Sequence, residues 1–442
     1  MSAGSESLFT QAALAPAWPA LAAMSIGLLN QRSRRLSERA VVTIAQLALW
    51  LSFLSVCVAS VAYGWRGESH VERMLGHFYQ AGDYGFELRF LFDGISLPVG
   101  LLATVLLLAT SRFSAHYLHR EPGFTRFFVL MLIFASGILL LLLAGSYDLL
   151  FAGWELVGLS SVLLVGFFQE RAGPVRAALR VLITYRLCDV GLLVAPILLH
   201  LTLHSSAFTE VQTALATSSS KSLVPATAVS LFLLLAAMGK SAQFPVGGWL
   251  PRAMEGPTAS SAVFYGALSV HAGVYLLLRS AALFQQAPIA RAALVGVGLV
   301  TAVMAAVSGR ASADAKSGLA YATISQVGLM FAECGMGWTR LATAHLIAHT
   351  ILRYYQFLRV PSVLQDALAQ RAALGTRAHK RSKAKWQGLT LPAQSFIYRL
   401  AIERFEVEAS LERFLARPLF LLARWLGEAE ARWMEADRKE KR

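Results

Sequence analysis

Long uninterrupted apolar runs constrain this chain more than any other feature. Many approach the roughly 20 residues that span a bilayer as a helix, and the short amphipathic periods of a soluble core are mostly missing before residue 360. We read about eleven spans, at 13–30, 40–64, 91–111, 127–144, 146–168, 178–203, 223–243, 257–282, 289–309, 317–337 and 341–360. The expected fold is all-α: a polytopic transmembrane bundle with broken helices and a C-terminal amphipathic region. With 56% hydrophobic and 15% charged residues, the composition excludes an ordinary soluble enzyme.

The net charge of +14 is explained by membrane topology rather than by nucleic acid. With the N-terminus outside, the inside loops carry Arg32, Arg34, Arg35 and Arg39, then Arg112, Arg120 and Arg126, then Arg171, Arg176 and Arg180, then Arg310 and Lys316. The C-terminus falls inside, preceded by basic Arg371, Arg377, Lys380, Arg381, Lys383 and Lys385. The start has no basic region ahead of its apolar stretch, so no cleavable signal peptide is expected. The expected location is the cell inner membrane, with lipid as surroundings. Residues 1–126 read as N-terminal transmembrane helices, 127–360 as a core, and 361–442 as a basic linker with amphipathic helices. That last part carries Ile397, Leu400, Phe405, Leu411, Phe414, Leu419, Leu422 and Trp425 at near-helical spacing, with Pro418 as a break. It suits a membrane surface, a partner or the chain's own bundle.

Ionisable residues inside apolar spans are costly, about 2.5–3.5 kcal/mol each at mid-bilayer, and so mark function or pairing. Glu155 lies in Trp154-Glu155-Leu156-Val157-Gly158. Arg186 and Asp189, three apart, share a helix face and are expected to pair in support. Lys240 precedes Pro245, Gly247, Gly248 and Pro251, which should break the helix and free carbonyls beside it. A buried lysine can exchange its proton. His345, His349 and Arg353 recur every four residues as one polar stripe, suited to relaying protons or to hydrogen-bonding neighbouring helices. His271 reads as a packing residue, and Lys316 as a candidate near a span end. Cys57, Cys188 and Cys334 lack ligand spacing. No metal site and no cofactor is expected in this chain, since it has no phosphate-binding glycine loop, zinc pattern or iron–sulfur cysteine set.

Phe127 through Val360 resembles the antiporter-like membrane subunit of respiratory complex I, called subunit L or subunit 5. It is equally similar to the Mrp antiporter subunit and to the membrane half of DAB-type inorganic-carbon uptake systems. The matching stretches are Trp154 to Gly158, Gly239-Lys240-Ser241-Ala242-Gln243-Phe244-Pro245, Trp249-Leu250-Pro251, Ala253 to Thr258, and Leu319 to Gly328. The resemblance implies that Glu155 and Lys240 are a coupled proton-path pair, joined by Lys316, His345 and His349. The sequence departs from the pattern at Tyr265, where complex I subunits often carry histidine, at Arg353 in place of lysine, and at Arg252 in place of aspartate. Later spans that carry a further lysine in the family are absent.

Three functions follow. The first is a proton-conducting subunit that energises a cytoplasmic partner, a zinc-containing, carbonic-anhydrase-like protein of a DAB-type uptake complex for carbon dioxide and bicarbonate. The second is a subunit of a complex I or hydrogenase-type quinone oxidoreductase among other complex subunits. The third is a non-conducting assembly scaffold. Residues 361–442 are expected to contact the partner.

Overall fold

A computed structural model describes residues 2–31, 36–81, 84–217, 226–312, 314–374 and 390–407, with scattered positions beyond. Helices α1 (Ser2–Ala13), α2 (Ala17–Gln31) and α3 (Glu38–Arg66) come first. The ends of α3 follow its sequence. The Ser37 hydroxyl accepts from the Ala40 N–H (3.3 Å), Glu38 and Arg66 occupy the first and last turns, and Gly67 closes the helix at φ 66°.

Between the second and third expected spans the chain forms a β-hairpin, β1 (His70–Ala81) and β2 (Tyr84–Asp93), paired from His70↔Asp93 to Ala81↔Tyr84. It buries Val71 and the consecutive Phe90, Leu91 and Phe92, so the end of β2 is covered on both faces. The apolar end of β2 had been read as the start of the third span, and α4 starts only at Ser96.

The bundle continues with α4 (Ser96–Tyr117), α5 (Phe124–Leu143), α6 (Tyr147–Val165), α7 (Ala172–Leu203), the short α8 (Phe208–Thr217), α9 (Ala226–Lys240) and α10 (Trp249–Arg252). Next come α11 (Thr258–Ser260), a π-helical stretch Ser261–Ala267, a 3-10 turn Ser269–His271, and α12 (Ala272–Arg279), which together form one distorted span. Helices α13 (Ala281–Gln285), α14 (Pro288–Ala311), α15 (Ala315–Gly335), α16 (Thr339–Leu374) and α17 (Leu391–Ile402) complete the described part. The class is helical, with the one hairpin as its exception.

Among the described residues seven helices are long and apolar enough to cross a membrane, or eight with the bent pair Ser7–Ala13 and Ala17–Asn30. The eleven expected segments are all helical, but not all qualify. Helix α9 has 15 residues, about 22 Å of rise, because it is cut short at Lys240. Helices α15 and α16 carry too many polar side chains. The predicted boundary at residue 361 falls within α16, whose backbone runs on to Leu374.

Glycines set the closest approaches. A Cβ on Gly153 of α6 would lie 2.5 Å from the Leu141 nitrogen of α5, so these helices touch backbone to backbone. On the outside of the bundle, α7 presents Leu179, Ile183, Leu187, Val190, Leu193, Ile197 and Leu201 as one exposed apolar stripe. That is the surface a bilayer solvates. Helix α17 buries Ala401, and the chain turns at Arg404–Glu406 with positive φ, ahead of the break expected at Pro418. Arg32, Arg34, Arg35, Arg377, Lys380, Arg381, Lys383, Lys385, Leu411, Phe414, Leu419 and Leu422 lie outside the described residues.

Candidate proton-conducting site

Helix α9 stops where the sequence demands it. Ala242 takes a left-handed φ of 53°, and Pro245, Gly247 and Gly248 sit in irregular turns. Pro251 falls within the single turn α10. The broken backbone is satisfied by neighbours. Trp249 Nε1 donates to the Gly239 carbonyl (3.0 Å), Gln243 Nε2 to the Ser241 carbonyl (2.8 Å), and the Phe244 N–H to Thr301 Oγ1 (2.9 Å).

Lys240, at the last turn of α9, is 0% exposed. Its Nζ donates to the Trp154 carbonyl of α6 (3.2 Å) and stands over the rings of Tyr185 (4.2 Å) and Trp154 (4.8 Å). Gly158, one turn past Trp154, makes the space: a Cβ there would lie 2.8 Å from Nζ. Gly239 lies against Cys188 of α7, where a Cβ would lie 2.3 Å from the cysteine Cβ. That close approach brings the buried Asp189 near the lysine.

The carboxylates are arranged differently from expectation. Asp189 does not pair with Arg186. Its Oδ1 accepts from Trp154 Nε1 (2.6 Å) and its Oδ2 is buried without a partner. Arg186 instead forms a salt bridge with Glu155 across the α6–α7 contact. The reason is reach: Asp189 turns inward, whereas the longer arginine extends along the outer face to the facing helix. Glu155 makes no direct contact with Lys240. Adjacent helical residues point about 100° apart, so Trp154 faces the lysine and Glu155 faces outward.

A second cluster forms around the distorted span. His271 Nε2 lies 2.9 Å from His349 Nδ1, so His271 is a network member and not the packing residue expected. Arg353 Nε donates to His349 Nε2 (3.0 Å). That nitrogen is therefore the acceptor, Nδ1 carries the proton and donates to His271 Nε2, and the His271 Nδ1–H donates to the Ala267 carbonyl. The donors run in one direction with both imidazoles neutral. Arg353 also donates to Gln356 Oε1 (2.7 Å). His345 lies one turn before His349, their rings 6.1 Å apart, and contacts Glu333 (2.9 Å) and Gln326 (3.2 Å) of α15. The π-helical and 3-10 turns place His271 beside the first cluster: Ser241 Oγ, next to Lys240, donates to the carbonyl of Val270 (2.7 Å). Tyr265 donates to the Ser161 carbonyl (2.9 Å).

Lys316 belongs to neither cluster. It lines an open cavity of about 670 Å3 with Arg176, Arg180, Arg252, Glu255 and Asp314. At the opposite end of the bundle Asp93 accepts from Arg279 Nη1 (2.5 Å) and Nη2 (3.1 Å) and from the backbone N–H groups of Ile95 (3.0 Å) and Ser96 (2.8 Å). Burial works against its charge, and the guanidinium and these hydrogen bonds prevail, holding the carboxyl below its ordinary range. Nearby, Arg89 bridges Glu87 (2.5 Å) and Glu210 (2.7 Å), tying the hairpin to α8. A hydrogen bond from Ser205 and the Arg89 charge hold Glu210 low as well.

Sequence reading missed Trp154, Tyr185, Gly158, Gln326 and Glu333. Glu333 was legible as a lone carboxylate near the end of a span. Trp154, Gly158 and Gln326 stood in the sequence only as members of the matching stretches, and Tyr185 carries no signal outside three dimensions.

The chain that carries this lysine site and histidine cluster is similar to known proteins. Residues 144–378 match the family described as NADH:quinone oxidoreductase/Mrp antiporter, TM, more than half of the chain. The chain belongs to this family. Residues 78–128 match the N-terminus of NADH-ubiquinone oxidoreductase (complex I) chain 5. Among its relatives, the chloroplastic NAD(P)H-quinone oxidoreductase subunit 5 of Marchantia polymorpha is 31% identical over 82% of this chain and 53% of its own length. NADH-quinone oxidoreductase subunit L of Mycobacterium tuberculosis is 37% identical over 64% of this chain and 44% of its own. The chain thus spans about half the length of the curated relatives it matches. The structure of the Mrp complex from Dietzia sp. includes a chain 28% identical, with a TM-score of 0.66, covering 84% of this chain and 38% of that one. A chain of the archaeal membrane-bound sulfane sulfur reductase, at 20% identity and a TM-score of 0.67, shares the fold. This is an antiporter-like, multi-pass membrane chain.

Proposed function

We propose that this chain conducts protons as a subunit of a multisubunit membrane complex of the quinone-oxidoreductase class. The observation that carries this reading is Lys240. It is fully buried, held by a single carbonyl and two aromatic faces, with Asp189 and Glu155 close enough to bias its charge. A lysine so weakly coordinated can give up its proton when a neighbouring carboxylate is neutralised or moved. The histidine cluster, one hydrogen bond beyond the helix break, supplies the next carriers.

The relatives named above are quinone-oxidoreductase and Mrp subunits. A redox-linked assembly therefore takes precedence over inorganic-carbon uptake with a zinc protein. The Arg186–Glu155 pair supports a partner inside the membrane. The Arg186 side chain is 49% exposed, and the pair lines a cavity of about 660 Å3 otherwise walled by Ala152, Leu156, Leu159 and Leu182. Charge on a lipid-facing surface is expensive, and a neighbouring transmembrane helix would cover it. The orientation that fits the basic cavity at Lys316 places the N-terminus and hairpin outside and α17 inside the cell, in the inner membrane.

The test is proton flux through the full chain in proteoliposomes under an imposed pH gradient. Wild-type flux that Lys240→Ala removes is the expected result. Equal flux with and without Lys240 would leave only an assembly scaffold.

A further inference from the structure

The histidine cluster leads toward the tip of the α15–α16 hairpin. His345 lies six residues into α16, and Glu333 lies two residues before the end of α15. Beyond them Met336, Gly337 and Trp338 are exposed. The side chains of Glu333 and His345 are only partly covered, at 13% and 21% exposure. His349 and His271, one turn deeper, are buried. Arg291 of α14 closes the same helix end, its Nε donating to the Gly335 carbonyl (3.3 Å).

Hydrogen-bond bookkeeping at His345 is restrictive. Gln326 presents Oε1, which can only accept, so the ring carries its hydrogen on Nε2 (3.2 Å). The other ring nitrogen, Nδ1, lies 2.9 Å from Glu333 Oε1. Between them there is room for one proton. It sits on Nδ1, making imidazolium and carboxylate, or on Oε1, making neutral imidazole and carboxylic acid. The second oxygen of Glu333, Oε2, is buried without a partner. A purely structural carboxylate would be expected to have both oxygens satisfied.

We infer that the Glu333–His345 pair is the outer port of the proton path, where protons pass between the buried histidines and water on the outer face. The step is simple. The Nδ1–H bond of His345 breaks as an O–H bond forms on Glu333. The acid then releases its proton outward, and the emptied Nδ1 of the neutral ring takes the next proton after the imidazole turns about its Cβ–Cγ bond toward His349, whose ring lies 6.1 Å away. The reverse order carries protons inward. This rests on the proton-conduction reading above and extends it to a residue outside that reading.

Glu333→Gln is the informative variant. Its amide oxygen still accepts from His345, so packing is kept while the titrating group is lost. In proteoliposomes of the full chain it should lower flux by about 100-fold, and Glu333→Asp should restore most of it. Wild-type flux in Glu333→Gln, measured in an assay in which separate Lys240→Ala vesicles do not conduct, would overturn the port and leave the conduction reading standing. Glu333→Asp as inactive as Glu333→Gln would also count against it. A second readout does not depend on flux. Infrared difference spectra between two external pH values should show a carboxyl band that is absent in Glu333→Gln, and a band unchanged in that variant would overturn the assignment.

Discussion

Arg279 and Lys240 are both buried cations, and their surroundings differ. Arg279 makes four hydrogen bonds. It donates to both oxygens of Asp93 and through Nε (2.9 Å) and Nη2 (2.7 Å) to the Tyr275 hydroxyl, which donates in turn to the Leu142 carbonyl. Lys240 has one carbonyl and two ring faces. A guanidinium is always charged and fits a carboxylate bidentately, whereas an ammonium can shed its proton. The first site is therefore a clasp between β2 and α12, and the second an exchange site. Burial of charge alone does not distinguish structure from function here; the number of partners does.

Breaking the clasp should have the largest effect on stability. Arg279→Leu leaves Asp93 buried and unpaired, a loss of about 3–5 kcal/mol, seen as a lowered thermal midpoint in detergent. Lys240→Met, by contrast, removes an under-coordinated charge and should leave that midpoint unchanged or raised while stopping flux. Equal destabilisation by the two substitutions would erase the distinction.

Acid separates the sites too. The Asp93 carboxyl is held below its ordinary value in the folded chain, so its contribution to stability is complete above the unfolded carboxylate range. It declines as pH falls below that range and is gone once pH has passed below the lowered folded value. Wild type should keep its clasp in mild acid, and Asp93→Asn should flatten the acid limb of a pH–stability curve. A limb unchanged in Asp93→Asn would show that other groups control it.

Smaller effects sharpen the lysine site. Gly158→Ala places a methyl carbon 2.8 Å from Nζ, and flux should fall by about tenfold as the ammonium shifts from the Trp154 carbonyl. Trp154→Phe keeps a ring but removes the indole donor to Asp189. The loss of one such hydrogen bond, about 1 kcal/mol, predicts about a fivefold change in flux. A Gly158→Ala variant conducting like wild type would mean that the lysine's placement is not critical.

The sequence made the helical membrane bundle, the break after Lys240 and the polar stripe of α16 legible, because hydropathy, proline and i, i+4 spacing act locally. The hairpin was hidden because its apolar strand end merges with the start of α4. The pairing of Arg186 was misjudged for a related reason. Spacing within α7 shows which residues share a face but not that Glu155 waits on α6. Lone residues such as Glu333 and His271 gained partners only when α15, α16 and the distorted span came together. Gly158 belonged to a matching stretch, but its role as the space for the tip of Lys240 needed the facing helices in place.

The central claim is that Lys240 works by exchanging a proton and not by holding a charge. Comparing proton flux in Lys240→Arg and Lys240→Ala tests it most directly, in vesicles with equal amounts of inserted protein. The account predicts that both variants lose flux alike, since arginine retains the charge and does not release its proton. Full flux in Lys240→Arg alongside a dead Lys240→Ala would contradict it and make Lys240 a structural cation like Arg279.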